Sequence, residues 1–309
     1  MPVCRFQFQL GGIMMADAYQ PKKLRQTMKL DLSRVAPVAG AASVLMFSLI
    51  EPSLADQPRD WQVGFQDAAT PVMEDLSWLH NSVLMPIITV VALFVLGLLV
   101  TIMLRFNAKA NPTPAKFSHN TLIEVAWTIA PIFILMIIVI PSFQLLYKQD
   151  TIPEADLTIK AIGNQWYWTY EYPDHGDFSF DALLIQDADL KPGQPRLLAT
   201  DNHVVVPVNK TVRVIVTAEA TGVIHNWAIP AFGLKMDAVP GRLNETWFQA
   251  TKEGLYYGQC SELCGIGHAY MPIAVEVVSE ARFSEWVTGA QTEFGAIESP
   301  DSKFALNQN

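Results

Sequence analysis

Residues 83–104 read VLMPIITVVALFVLGLLVTIML and residues 125–146 read VAWTIAPIFILMIIVIPSFQLL, two runs of 22 residues without a charged side chain. At about 1.5 Å per helical residue, each run matches the roughly 30 Å hydrocarbon core of a bilayer. Between them, residues 105–120 carry Arg105, Lys109 and Lys116 and no acid. That positive excess places the short loop on the cytoplasmic side and both flanking segments outside. Asn111-Pro112-Thr113-Pro114 reinforces the turn, because proline restricts itself and the residue before it. Pro86, Pro131 and Pro141 fall in or near the spans, where neighbouring helices satisfy the carbonyls they free. The reading is a two-helix transmembrane hairpin over residues 79–147.

Composition agrees: half of the residues are hydrophobic, only 17% are charged, and the mean hydropathy is +0.22. Those values are unusual for a soluble chain. A third apolar stretch, residues 35–50, is shorter, follows Lys29 and Arg34, and precedes Ser53-Leu54-Ala55. Positive, apolar and small residues in that order predict a secretory signal cleaved after Ala55, so residues 1–55 form a leader and residues 56–78 a periplasmic segment. Met28 opens such a signal by itself, which leaves residues 1–27, with Cys4, as either an upstream mis-start or an unusually long leader.

From about Lys148 the pattern changes to short β-branched and aromatic runs divided by Pro, Gly and Asp. Residues 157–172, 204–208, 211–217, 245–249 and 273–278 are the clearest strands, which predicts an all-β sandwich over residues 148–290. Residues 281–290 are expected to form a short closing helix and residues 291–309 a flexible tail. Residues 148–309 hold 21 acidic side chains against 11 Lys and Arg, so this half carries the negative excess of a chain of net charge −9. The expected partner is therefore a basic protein and not nucleic acid.

Residues 260–271 read Cys-Ser-Glu-Leu-Cys-Gly-Ile-Gly-His-Ala-Tyr-Met, which gathers two thiols, an imidazole and a thioether. Sulfur ligands are soft and favour reduced copper, while imidazole also suits the oxidised ion, so such a set can cycle one electron. Gly265 and Gly267 are expected to let the backbone fold back so that Cys260, Cys264, His268 and Met271 converge. His225, in Val-Ile-His-Asn-Trp-Ala-Ile-Pro, is the best further ligand, and two thiolates four residues apart suit a pair of bridged metals. A Cys260–Cys264 disulfide leaves His268 and Met271 unexplained, and a zinc site has no use for Met271.

On these residues, with Gln165-Trp166-Tyr167-Trp168 and Asp237-Ala238-Val239-Pro240-Gly241-Arg242, the chain resembles subunit II of a bacterial aa3-type cytochrome c oxidase over most of residues 60–285. The resemblance implies a cupredoxin-like Greek-key β-sandwich carrying a binuclear copper (CuA) centre. One copper would be held by His225, Cys260, Cys264 and Met271, the other by Cys260, Cys264, His268 and the carbonyl of Glu262. The Glu262 side chain would reach a magnesium ion shared with subunit I. The implied partners are subunits I and III, cytochrome c and the bacterial inner membrane, with both mature termini periplasmic.

Strand alternation sends Trp166, Trp168, Tyr170 and Tyr172 to one face, and an aromatic stripe of that kind reads as core. The resemblance singles out Trp166 as the exposed indole through which electrons arrive. It also assigns Glu171, Asp201 and Asp237 to cytochrome c docking, while Thr221 and Gly222 stand where another docking carboxylate is expected. Glu124 sits at the cytoplasmic mouth of the second span, where a carboxylate is costly without water or a partner. The resemblance makes it the entrance of a proton channel; position alone equally suits an interfacial acid beside Trp127. His80, His119, His175 and His203 have no ligand neighbours in sequence and read as surface or turn residues. Two other functions are weighed: a quinol-oxidase-type structural subunit, which lacks these copper ligands, and a membrane-anchored copper carrier, which has no need of Trp166 or the docking acids.

Overall fold

The computed structural model describes residues 56–113 and 115–295. The expected signal cleavage after Ala55, Cys4 and the end of the tail lie outside these residues. The first span belongs to a longer helical stretch, Pro71–Arg105, of 35 residues. Helix α1 (Pro71–Trp78) passes through a π-helical segment (Leu79–Leu84) into α2 (Met85–Arg105). Thr70 caps its start by accepting from Met73 N at 3.1 Å while its hydroxyl donates to Phe232 O at 2.8 Å. Pro71 follows at the first helical position, where no amide hydrogen is needed.

The second span is α3 (Thr121–Asp150), which runs through Pro131 and Pro141 without a break. No residue of α2 or α3 is buried. Their apolar side chains form the outer surface, as a lipid environment requires. The end of α3 is tied to the rest of the chain by polar contacts. Lys148 Nζ lies 2.5 Å from Asp75 Oδ2, and Trp247 Nε1 donates to Lys148 O at 3.2 Å.

The remainder is a β-sandwich built from β1 (Leu157–Asn164), β2 (Tyr167–Tyr172), β3 (Phe178–Ala182), β4 (Val204–Pro207), β5 (Thr211–Ala218), β6 (His225–Ile229), β7 (Leu234–Ala238), β8 (Asn244–Gln249), β9 (Gly254–Cys260) and β10 (Pro272–Val278). One sheet has the order β3-β2-β1-β5-β8 and the other β4-β10-β9-β6-β7. β1 runs parallel to β5 and β4 parallel to β10; the other pairings are antiparallel. Ile159, Trp168, Tyr170, Val214, Trp227 and Ile273 fill the space between the sheets. This is the expected membrane hairpin followed by a cupredoxin-like sandwich.

Three expectations are corrected. Residues 157–172 are two strands, paired Asn164 to Tyr167 around the intervening turn, and not one. Strands β3, β6, β7 and β9 escaped notice because β3 alternates with Ser and Asp, β6 is buried throughout and β9 contains glycines. The closing helix, α4 (Glu280–Phe294), continues past Ala290. Phe294 packs on Phe180 with ring centroids 5.2 Å apart, so residues 291–294 belong to the sandwich and not to a tail.

Candidate metal centre

His225 opens β6 and Cys260 closes β9, neighbouring strands in which Trp227 stands opposite Cys260. Gly258 permits their close approach, since a Cβ there would lie 1.9 Å from Ala228 O. The loop after Cys260 is tied back by Ser261 N donating to Asn226 O at 3.1 Å. Gly265 turns the chain at φ +114°, a region that disfavours side chains, and a short 3-10 turn (His268–Tyr270) leads into β10. Because Pro272 pairs with Gln259, Met271 returns beside the thiol from which the loop departed.

The donors converge as the sequence suggests. Cys260 Sγ lies 3.8 Å from Cys264 Sγ, 3.8 Å from His225 Nδ1 and 3.3 Å from Glu262 O. Cys264 Sγ lies 3.6 Å from His268 Nδ1 and 3.6 Å from Met271 Sδ. A disulfide requires about 2.05 Å between sulfurs, so the two cysteines are free thiols. His225, Cys260, Cys264 and Met271 are buried, whereas His268 is half-buried. Glu262 turns its carbonyl inward and is itself exposed.

Burial pushes the Cys264 thiol up to about 12, with the neighbouring Cys260 adding to the effect. Burial, followed by His268, lowers His225 and so keeps its imidazole neutral and able to donate a lone pair. A partly buried group of two thiols, two Nδ1 atoms, a thioether and a carbonyl is a mixed soft and borderline donor set. It fits copper, and binding there must displace the thiol protons.

Trp166 departs from its expected place. It precedes β2, so it is not part of the buried stripe of Trp168, Tyr170 and Tyr172 but turns onto the ligand loop, half-buried. Its Nε1 donates to Cys264 O at 2.8 Å. Gly267 is needed for this ring and not for backbone freedom: its φ is −93°, but a Cβ would lie 2.3 Å from Trp166 Cγ. The sequence reading missed the part played by Trp168, whose Nε1 donates to Met271 O at 3.2 Å; nothing in the aromatic pattern distinguishes it from packing.

The other named residues lie outside the cluster, and several have local partners. Glu171 pairs with Lys160 at 2.9 Å, Asp201 Oδ1 accepts from Leu183 N and Asn202 N at 2.7 and 2.8 Å, and Asp237 Oδ1 accepts from Asn226 Nδ2 at 2.6 Å. Glu124 Oε1 accepts from Asn120 N at 3.2 Å in the first turn of α3. His203 lies 3.4 Å from Glu276, while His80 and His175 meet Phe65 and Phe283 edge-on. Around the outer face of the loop, Leu263, Ile266 and Tyr270 are exposed.

Comparison with known proteins gives matches to both halves. Residues 157–278 match the family described as cytochrome c oxidase subunit II, periplasmic domain, and residues 58–145 match its transmembrane domain. A probable cytochrome c oxidase subunit 2 of Rickettsia bellii is 55% identical over 253 residues, 82% of this chain and 92% of that one. Its counterpart in Rickettsia felis is 50% identical over 284 residues, 92% of this chain and 89% of the relative. Among solved structures, the periplasmic domain of subunit II of cytochrome oxidase of Bradyrhizobium japonicum is 60% identical. It covers 47% of this chain and 99% of its own, with a TM-score of 0.44.

Proposed function

Because the chain belongs to the cytochrome c oxidase subunit II family, and is thus a membrane-anchored subunit of a haem-copper oxidoreductase, we propose that it accepts electrons from cytochrome c at a binuclear CuA centre for delivery to haem in subunit I. The family's periplasmic domain is its copper-binding domain, and the His and Cys cluster is compatible with that metal.

One observation carries the binuclear reading. Each thiol is touched by two further donors, His225 Nδ1 and Glu262 O at Cys260, and His268 Nδ1 and Met271 Sδ at Cys264. One donor from each thiol would make up each of two terminal sets around a shared pair of sulfurs, and the family resemblance pairs His225 with Met271 and Glu262 O with His268. A mononuclear site leaves two of these donors without a purpose. When bound, copper held by these residues would supply a one-electron carrier.

The protein's own groups complete the path. Trp166 links the surface to Cys264 through its indole N–H. Glu171, Asp201 and Asp237 attract a basic cytochrome c, and the local bonds of Asp201 hold its carboxylate outside the cluster. The exposed Glu262 side chain is free to reach a magnesium ion at the subunit I boundary, and Leu263, Ile266 and Tyr270 suit burial against that subunit. Glu124, at the far end of α3, takes the proton-channel entrance in addition to its capping bond. The sandwich and both mature termini are placed on the periplasmic side of the bacterial inner membrane, in complex also with subunit III, after removal of residues 1–55.

The test is metal analysis and electron paramagnetic resonance on the purified chain in its complex. Two coppers per chain, sharing one unpaired electron and giving more hyperfine lines than a mononuclear copper, are expected. Zinc, or a single copper per chain, overturns the reading.

A further inference from the structure

Gly163 lies near the end of β1, with Trp168 of β2 opposite on one side and Ala218 of β5 on the other. Its carbonyl also accepts from Glu219 N at 3.0 Å. The strand therefore cannot shift sideways. Directly above Gly163, across the sandwich, sits the imidazole of His225. A Cβ on Gly163 would lie 2.8 Å from His225 Cδ2, 2.9 Å from Cγ and 3.0 Å from Cβ. Ordinary carbon contacts need about 3.5–4.0 Å, so the ring occupies space that any other residue at 163 would fill.

The remaining sides of the ring are closed as well. The indole of Trp168 meets it edge-on, with centroids 6.0 Å apart and planes at 63°. Cys260 Sγ faces Nδ1 at 3.8 Å. His225 is fully buried, and its Nε2 has no hydrogen-bond partner among the described residues. A metal-ligating histidine is ordinarily oriented by a hydrogen bond from its other ring nitrogen. Around His225 the described residues supply packing on these sides.

We propose that Gly163 is a positioning residue for the copper centre: by leaving room for the His225 ring against β1, it sets the angle at which Nδ1 meets the thiolate pair, in place of the usual hydrogen bond to the distal nitrogen. This rests on the reading of His225 as a copper ligand. A methyl at 163 drives the ring toward Cys260 or tilts it about its own axis, since β1 is held on both sides and Trp168 blocks the flank.

The test compares Gly163→Ala with Val214→Ala, each in the full chain within the purified complex. Val214 is buried on the adjacent strand, opposite Ile159 and four residues from the partner of Gly163, and reports loss of packing. For Gly163→Ala, the expected result is copper retained at the wild-type ratio, altered copper hyperfine splitting and a shifted midpoint potential. Val214→Ala should lower thermal stability and leave both signatures at wild type. Wild-type hyperfine splitting and potential in Gly163→Ala overturn the proposal even if the copper reading stands; a wild-type complex without two coppers overturns that reading instead. If Gly163→Ala does not assemble, pulsed electron paramagnetic resonance of the wild-type complex decides, through the quadrupole coupling of the remote ring nitrogens. A distal His225 nitrogen without a hydrogen-bond acceptor supports the proposal, and a hydrogen-bonded one overturns it.

Discussion

The indole nitrogen of Trp166 donates to the carbonyl oxygen of Cys264 at 2.8 Å, across 98 residues of sequence. An aromatic ring in the turn between β1 and β2 is thereby bonded to a residue whose thiol belongs to the metal cluster. The contact depends on two glycines in the ligand loop: side chains at Gly265 or Gly267 would lie 2.9 or 2.3 Å from the ring.

Trp166→Phe keeps a flat ring over the loop but removes the donor to Cys264 O. Stability should fall by about 1 kcal/mol, the net worth of such a bond. Copper content should stay at wild type while electron uptake from a basic cytochrome c slows at least several-fold, as read by stopped-flow absorbance. Unchanged uptake would place the electron route elsewhere.

Gly267→Ala forces a methyl group into the Trp166 ring. The expected cost is about 1–3 kcal/mol, in the range of overpacking. In a Trp166→Ala background the same substitution should be tolerated, giving a coupling of order 1 kcal/mol in a double-mutant cycle. Thermal unfolding of the detergent-solubilised chain measures all four corners; additive costs would show that the ring and the glycine do not meet.

Cys264→Ser removes one shared sulfur and, with it, the group that touches both His268 and Met271. Serine supplies a harder oxygen ligand, poorly matched to reduced copper. Bound copper should drop below two per chain and the delocalised resonance pattern should be lost, while far-ultraviolet circular dichroism remains that of the folded chain. Retention of the delocalised pattern would exclude Cys264 as a bridge.

Glu276 provides a pH signature remote from the metal loop. Its carboxyl is held below the usual 4.5 by a hydrogen bond from His203 and then by Arg282, which lies 3.0 Å away. A depressed carboxyl contributes stability that is fully present above 4.5 and lost as pH falls through its lower folded value. Glu276→Gln should therefore cost about 0.5–1 kcal/mol at pH 7 and progressively less in acid. Thermal midpoints of the two proteins should converge below pH 4.5; a constant gap would mean that the charge is not what stabilises this contact.

Much of the architecture was legible in one dimension because its signals are local. Spans of 22 uncharged residues, a basic loop between them and a ligand set crowded into residues 260–271 depend only on neighbours in sequence. Strand boundaries were less legible. Trp166 obeys the period of β2 in sequence yet lies outside the strand, because alternation does not reveal where a hairpin turns.

By itself, then, the sequence determined the membrane hairpin, the all-β half and the identity of the sulfur and imidazole donors, since hydropathy and metal preference are properties of the residues. Only the tertiary structure decided which donor meets which thiol, that Gly267 makes room for an indole, and that Gly163 makes room for His225. Those are contacts between strands of opposite sheets or between distant loops. Their physical basis is steric exclusion at short range, which depends on where the folded backbone brings two residues together and leaves no periodicity in the chain.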